Sequence, residues 1–385
     1  MAPPLVDVVV PVYNGAATVE SALRSLQAQT VEAMRIVVVD DGSTDATPDI
    51  LKRLAAADSR LRVVSQENKG LVDALNAGLA MCRAEFIARH DADDLALPGR
   101  FAAQLGYLRE HLDCVAVSGA IRHIDESGQP RSGPIRLPSP DLADFNWYPQ
   151  REPYLSHPFL MMRRFAAEQA GGYRYAFHAE DTDLYWRLQE LGRLVNLDDL
   201  LGDYRVHAKS VMGESPVNGR ISAVNSQRAG LSAKRRRAGQ TDIAWRKSAL
   251  AEYKAASSLA GMVAVGSHDL DRDEAQRLAV AACAKLLDLA GYRSFELDLD
   301  DCDYIRRVLV PALPHMEPDN RDFCTRMLSG TAARLAQRGE VASALRLVPK
   351  RLYPSVAARL ALRVAAPQSV RHAMRRAVGR SVIMK

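Results

Sequence analysis

Paired cysteines are missing from this chain. Its five (Cys82, Cys114, Cys283, Cys302 and Cys324) are odd in number, scattered, and never spaced C-x-x-C. That pattern argues against a disulfide framework or a zinc site and for reduced thiols. No apolar run approaches the ~20 residues that a membrane-spanning helix needs. No basic segment precedes the first strand-like run, because Met1-Ala2-Pro3-Pro4 leads straight into it, so neither a signal peptide nor export from the cytoplasm is expected. No Gly-x-Gly-x-x-Gly turn follows that run and no Gly-x-x-x-x-Gly-Lys occurs anywhere, which weakens the ordinary dinucleotide and P-loop readings. Acidic residues are absent after Glu340.

What is present is globular in character, with 48% hydrophobic and 25% charged residues, and 385 residues suggest two domains. Val6 to Val10 is a β-branched run that ends at Pro11-Val12-Tyr13-Asn14-Gly15 and is followed by a helix with Ala22, Leu23 and Leu26 on one face. Ile36 to Val39 is a second buried strand ending in Asp40-Asp41-Gly42-Ser43, with Ile50, Leu51 and Leu54 inward on the helix after it. Leu61 to Val64 is a third strand, and Leu71, Leu75 and Leu79 give Leu71 to Met81 a helical spacing. Nearly all-apolar strands alternating with helices predict an α/β fold with a mostly parallel sheet covered on both faces.

The fourth strand, from Phe86, ends in Asp91-Ala92-Asp93-Asp94. Crowded carboxylates raise the cost of ionising one another. A divalent cation relieves that crowding, and hard oxygen ligands suit Mg²⁺ or Mn²⁺. Open α/β sheets bind ligands at the carboxyl ends of their strands, so the cluster predicts a metal-assisted site handling phosphate. The structural alternative is an acidic first turn for a helix spanning Leu97 to Leu112, with Asp94 as its cap.

Taken together and in order, Val8-Val9-Val10-Pro11-Val12-Tyr13-Asn14, Val39-Asp40-Asp41-Gly42-Ser43-Thr44-Asp45 and Ile87-Ala88-Arg89-His90-Asp91-Ala92-Asp93-Asp94 resemble the family 2 glycosyltransferases of GT-A fold. Gly171-Gly172-Tyr173 and Glu180-Asp181-Thr182-Asp183-Leu184-Tyr185-Trp186-Arg187 resemble that family's acceptor-side motifs, and Tyr204-Arg205-Val206-His207 the segment that closes its catalytic domain. The resemblance covers roughly the first 210 residues. It implies a Rossmann-like GT-A sheet with helices on both faces and an inverting transfer from a nucleotide sugar.

The same resemblance assigns roles. Asp93 would ligate Mn²⁺ or Mg²⁺, with Asp91 on the ribose or on metal-bound water and Ala92 between them in the donor site. His207 would complete the coordination or touch the diphosphate; an ordinary surface histidine is the alternative. Tyr13 would stack on the base, Pro11 and Val12 would lend backbone contacts, Asn14 would line the same site, and Asp41 would accept from a ring imide N–H. A carboxylate opposite an imide suits uracil or thymine and would mismatch the acceptor edge of cytosine; a UDP-linked donor is expected. Asp41 and Asn14 would also pass for ordinary turn residues. Asp181 is the expected general base, with Glu180 orienting it or a substrate, against the plainer reading of an acidic helix start. Trp186 is either a sugar platform or core. His157, Arg163 and Arg164 fall near the acceptor by resemblance, without a firm role. The Gln-x-x-Arg-Trp sequence of the family's processive synthases is absent, so one sugar per encounter is expected.

Beyond Met212 to Gly219 the composition turns to Ala, Leu, Arg and Lys. Residues 220–238, 242–266, 272–291, 302–310, 319–338 and 340–348 read as helices. The expected organisation is a catalytic domain over 1–213 and an α-helical domain over 214–385 that offers a surface for self-association. After Glu340 there are ten basic residues; the whole chain is +5, so the part up to Glu340 is −5. Val356, Leu360 and Val364 form an apolar stripe beside Arg359 and Arg363, which fits docking on an anionic membrane surface; packing on the protein is the alternative. No aromatic interleaving supports nucleic-acid binding. The expected activity is therefore transfer of one sugar from a nucleotide-sugar donor to a glycan or lipid-linked acceptor, in bacterial surface polysaccharide or glycoconjugate assembly. The enzyme would be cytoplasmic, peripheral at the inner face of the membrane. A non-catalytic nucleotide-sugar-binding scaffold is the rival.

Overall fold

The computed structural model describes residues 3–206 and 215–365. His207 and the basic residues beyond Ala365 lie outside them. The sheet half runs β1 (Val6–Val12), α1 (Val19–Gln27), β2 (Met34–Asp40), α2 (Thr47–Ala57), β3 (Leu61–Ser65), α3 (Leu71–Met81) and β4 (Phe86–Arg89). It continues through β5 (Leu95–Ala96), α4 (Arg100–Glu110), β6 (Cys114–Ile124), β7 (Met161–Arg163), α5 (Arg164–Gln169), α6 (Glu180–Gln189) and β8 (Arg193–Arg205). The strands form one sheet in the order β3-β2-β1-β4-β7-β6-β8-β5. β1 to β4 are mutually parallel, as their unbroken apolar runs predict, while β7 is antiparallel to both β4 and β6.

Every residue of β1 is buried, including Asp7. That carboxylate accepts from Nε and Nη2 of Arg35 on β2, both at 2.8 Å, and from the backbone N–H groups of Arg83 at 2.5 Å and Ala84 at 2.8 Å. Arg35 is its partner in the β1–β2 register, so one side chain locks two strands and the turn before β4. Helix α3 lies so close to β1 that a Cβ on Gly78 would meet Val9 Cγ1 at 2.4 Å. Its inward face is Val72, Leu75 and Gly78, whereas Leu71 is exposed. The Leu71-Leu75-Leu79 spacing identified the helix but rotated its face.

Two further expectations change. Residues 95–96 form β5, paired with β8, and the next helix starts at Arg100 rather than Leu97. Asp94 does not cap it; its Oδ1 instead accepts the Arg205 N–H at 2.7 Å.

The helical half comprises α7 (Pro216–Arg237), α8 (Ala249–Ala256), α9 (Leu259–Gly266), α10 (Arg272–Tyr292), α11 (Leu299–Ala312), α12 (Pro318–Gln337), α13 (Val341–Leu347) and α14 (Tyr353–Ala365). The single helix expected over 242–266 is two, broken where Ser257 takes φ 53°. By its contacts the described chain forms two compact units, and the division is not a single cut. One unit takes the chain to Leu142, then Pro153–Tyr175, then Glu180 to the end of β8; the other takes Ala143–Glu152, Ala176–Ala179 and the helices from α7 onward. The two inserted stretches join the helices because Tyr148 and Phe177 pack against the helical core. Of the stripe offered to a bilayer, Val356 packs on that core and Leu360 is half-buried, while the exposed residues of α14 include Ala357, Ala358, Ala361 and Leu362. No helix among the described residues is long and apolar enough to cross a membrane.

Replacing Asp7 by Ala strands two backbone donors and the Arg35 guanidinium. We expect a loss of about 3 kcal/mol, read as a lower denaturant midpoint at unchanged slope.

Candidate active site

The order β2-β1-β4 brings three strand ends together. After β1, Tyr13 is 53% exposed and offers a free ring face. Asn14, at φ 50°, is committed to the neighbouring loop: its Oδ1 accepts from Thr44 N–H at 2.8 Å, and its own N–H donates to Ser43 Oγ at 2.9 Å. Gly15 and Ala16 donate to Thr47 Oγ1 and Asp45 Oδ2, so the Asp-Gly-Ser-Thr-Asp loop after β2 is sewn to the loop after β1. Pro11 and Val12 are buried, and the Val12 carbonyl accepts the Asp41 N–H at 2.9 Å.

Asp41 is buried, and its carboxylate fastens a third loop. Oδ1 accepts from Gln66 Nε2 at 2.7 Å and Lys69 N–H at 2.9 Å, while Oδ2 accepts from Gly70 N–H at 2.8 Å. Gly42, at φ 76°, must be glycine here, since a Cβ would meet Asn68 N at 2.7 Å. Gln66 was not foreseen from the sequence, where it reads as one polar loop residue among several.

After β4, one oxygen each of Asp91, Asp93 and Asp94 lie within 4.8 Å of one another. Burial in the cleft raises Asp91 to about 6, with Asp93 adding to the shift and the Arg89 guanidinium opposing it. Asp94 is pushed well above the usual carboxylate range by burial and by Asp91 and Asp93. Its Oδ2 is buried with no hydrogen-bond partner. Three hard oxygen donors, one of them orphaned, fit a divalent cation of the Mg²⁺ or Mn²⁺ kind. The closing segment does reach this cluster: Arg205 binds Asp94 through its N–H and the Asp93 carbonyl through Nε at 2.7 Å.

Arg89 is the residue that sequence reasoning missed. It is buried at the end of β4, and its guanidinium ion-pairs with Asp91 on both oxygens, one bond measuring 2.8 Å. Arg89 also lowers Glu180, while Asp181 raises Asp91; the strand-end acids and those that open α6 thus share one electrostatic neighbourhood. Only its position as the last residue of an apolar strand hinted at this.

Helix α6 begins with Glu180 and Asp181. Burial, then Asp181, pushes Glu180 up to about 7. Asp183, by contrast, is a structural residue: fully buried, it takes Arg187 at 2.5 and 3.0 Å, and Arg187 reaches the Ala170 carbonyl and the Gly172 carbonyl at 2.7 Å. Asn76 of α3 holds the same turn, pairing its amide with both backbone groups of Tyr173 at 2.8 and 2.9 Å. Tyr173 in turn bonds His157 Nε2 at 2.9 Å. Trp186 is fully buried and belongs to the core, not to a sugar platform. Arg163 and Arg164 do not join the site; they tie down the carbonyls of Cys114, Leu108 and Ala84.

The profile of the family described as Glycosyl transferase family 2 matches residues 7–171. The amylovoran biosynthesis glycosyltransferase AmsE of Erwinia amylovora is 34% identical over 194 residues, 50% of this chain and 72% of that one. The O-antigen biosynthesis glycosyltransferase WbnJ of Escherichia coli is 29% identical over 210 residues, 54% of this chain and 81% of that one. Among solved structures, the mannosyltransferase PcManGT of Pyrobaculum calidifontis, in complex with GDP-Man and Mn²⁺, is 20% identical with a TM-score of 0.47, covering 92% of this chain and 88% of that one. The relatives in sequence and the strand-end site converge on one assignment: the chain belongs to glycosyl transferase family 2 and is a glycosyltransferase.

Proposed function

We propose that this protein is an inverting, metal-dependent transferase that moves a single sugar from a UDP-linked donor to a hydroxyl of a glycan or lipid-linked acceptor. The observation that carries the reading is the meeting of two acid groups around Arg89: Asp91, Asp93 and Asp94 on one side, Glu180 and Asp181 on the other. Asp91, Asp93 and Asp94 would hold Mn²⁺ or Mg²⁺, which as a Lewis acid neutralises charge on a departing diphosphate. Asp181 takes the proton of the acceptor hydroxyl as that oxygen bonds to the anomeric carbon and the bond to the diphosphate breaks. Glu180, which retains its proton up to about neutral pH, stands beside Asp181 without adding full repulsion. Arg89 holds Asp91 in place between the two groups.

The preference for uracil follows from counting lone pairs at Asp41. A carboxylate has about four acceptor sites. Three are taken by Gln66, Lys69 and Gly70, and the one left is on Oδ2. Uracil presents a single imide N–H, whereas guanine presents two adjacent donors that call for both oxygens. With Tyr13 as the stacking face, this supports UDP over GDP. Thermal shift with Mn²⁺ should show UDP binding at least about tenfold tighter than GDP, a difference of ~1.4 kcal/mol. Gln66→Leu, which frees a site on Oδ1, should narrow that gap; equal affinities in the wild type would remove the base assignment.

Asp181→Asn keeps the shape but takes no proton. Turnover should fall by ~10²–10⁴-fold with the affinity for Mn²⁺·UDP nearly unchanged; normal transfer by this variant would move the base elsewhere. Asp93→Ala should abolish turnover and weaken UDP binding in Mn²⁺, and full activity of the wild type in excess chelator would sink the metal assignment.

Glu180 also predicts a pH effect on stability. Its folded pKa, about 7, is raised from the ordinary 4.5, so the folded state binds the extra proton between those values. Stability therefore falls as pH rises through that window. In chelator, Glu180→Gln should be more thermostable than the wild type at pH 8 and gain less at pH 5.

A further inference from the structure

Arg100 opens α4 and is 1% exposed, yet its guanidinium pairs with no carboxylate among the described residues. Its Nε donates to Gln104 Oε1 at 3.1 Å and its Nη1 to His90 Nδ1 at 3.1 Å. Nη2 donates to the Arg89 carbonyl at 2.7 Å and to the Leu160 carbonyl at 3.3 Å. The rings of Phe101 and Phe159 each lie 5.1 Å from its Cζ. Gln104, fully buried, is itself anchored to the Phe159 carbonyl at 2.8 Å. A buried cation met only by neutral acceptors is costlier than an apolar side chain filling the same space. What this one supplies is a set of fixed backbone positions. Arginine can only donate, so His90 Nδ1 carries the lone pair and the ring proton sits on Nε2. Nε2 then donates to the Asp94 carbonyl at 3.2 Å, and the Pro158 carbonyl is the ring's other backbone neighbour.

These contacts bracket the acid cluster. One guanidinium holds the Arg89 carbonyl, just before the cluster, directly and the Asp94 carbonyl, at its last residue, through a single imidazole. Between them the turn closes with the Asp94 N–H on the Asp91 carbonyl at 3.3 Å. The Arg205 N–H occupies Asp94 Oδ1, so the backbone and one oxygen of Asp94 are both fixed while Oδ2 stays unpaired. All of these groups belong to the sheet unit. We propose that Arg100, acting through His90, is a positioning residue for the carboxylates of Asp91, Asp93 and Asp94, holding their turn in the geometry that receives a divalent cation. The inference rests on the reading of those carboxylates as the cation's ligands. Groups behind a metal's ligands orient them and tune affinity; here the orienting group is a buried cation acting on the ligands' backbone. Lysine could not replace it, since one ammonium lacks the planar fork that reaches Gln104, His90 and the Arg89 carbonyl together.

The test titrates the full chain with Mn²⁺ alone, without nucleotide, and reads binding as loss of the free-ion electron paramagnetic resonance signal. His90→Met removes both ring nitrogens, Arg100→Lys removes the fork, and His90→Gln restores one acceptor and one donor. The dissociation constant for Mn²⁺ should rise roughly 10- to 100-fold in the first two variants, the range found when groups behind metal ligands are lost, and far less in His90→Gln. Hydrogen–deuterium exchange at the 91–94 amides should rise in His90→Met and Arg100→Lys and stay near the wild type in His90→Gln. Affinity for UDP in chelator should stay as in the wild type in all three, because Tyr13 and Asp41 lie on other loops. Wild-type affinity for Mn²⁺ in His90→Met would overturn the proposal, as would a His90→Gln variant weakened as much as His90→Met. A lower melting temperature with unchanged Mn²⁺ binding would make Arg100 and His90 core residues only, and would overturn it too. If one of His90→Met and Arg100→Lys fails to fold, the other carries the comparison with His90→Gln. Equal Mn²⁺ binding by the wild type and Asp93→Ala would instead reject the ligand reading; exchange at 91–94 would then still report whether Arg100 and His90 hold the turn.

Discussion

The Arg89–Asp91 ion pair is the contact around which the rest of the site is arranged. Three carboxylates at one strand end, facing two more at the start of α6, would repel one another in a partly desolvated cleft. A buried guanidinium placed among them offsets part of that repulsion and leaves Asp91 and Glu180 close to neutral in their titration rather than far above it. Lysine would not serve equally, because the guanidinium fork takes both oxygens of Asp91 at once. Its position comes directly from the sheet: β4 lies beside β1 and ends at Arg89, two residues before Asp91.

Around that pair the loops are closed by polar side chains. Asn14 and Asp45 join the first two strand-end loops, Asp41 fastens the third, and Arg205 brings the end of β8 onto the acid cluster. Each of these residues would pass for a surface turn former if read alone. In the fold each satisfies backbone groups that would otherwise be left without partners at the mouth of the site. These strand-end loops are therefore tied to one another by hydrogen bonds.

The approach to α6 is built differently. Its turn, Gly171-Gly172-Tyr173, is clamped by Asn76 and Arg187, and the chain then passes through the helical unit before α6 begins. Helix α7 is buried along most of its length despite a polar sequence, with Arg220, Asn225, Gln227 and Arg228 all enclosed. Such a helix is stable only when its polar groups find partners, as Arg220 does with Asp298 and Asp301.

The four parallel strands, the helices between them and the strand-end acids were legible in the sequence, because alternating runs of period 2 and 3.6 and a crowd of like charges are local signals. So were most of the later helices. The strands after Asp94 were not: β6, β7 and β8 lack the uninterrupted β-branched runs, and their mixed pairing depends on distant partners. The face of α3 was misjudged because Leu71 matches the helical spacing while Gly78, the actual point of closest approach, has no side chain to register as apolar. The sequence by itself determined which residues could do the chemistry: carboxylates at strand ends and an acid pair opening a helix. Tertiary structure alone decided that Arg89 pairs with Asp91 and that Asp183, Trp186 and Arg163 are structural. Those outcomes depend on burial and on contacts between residues far apart in the chain, which no local pattern encodes.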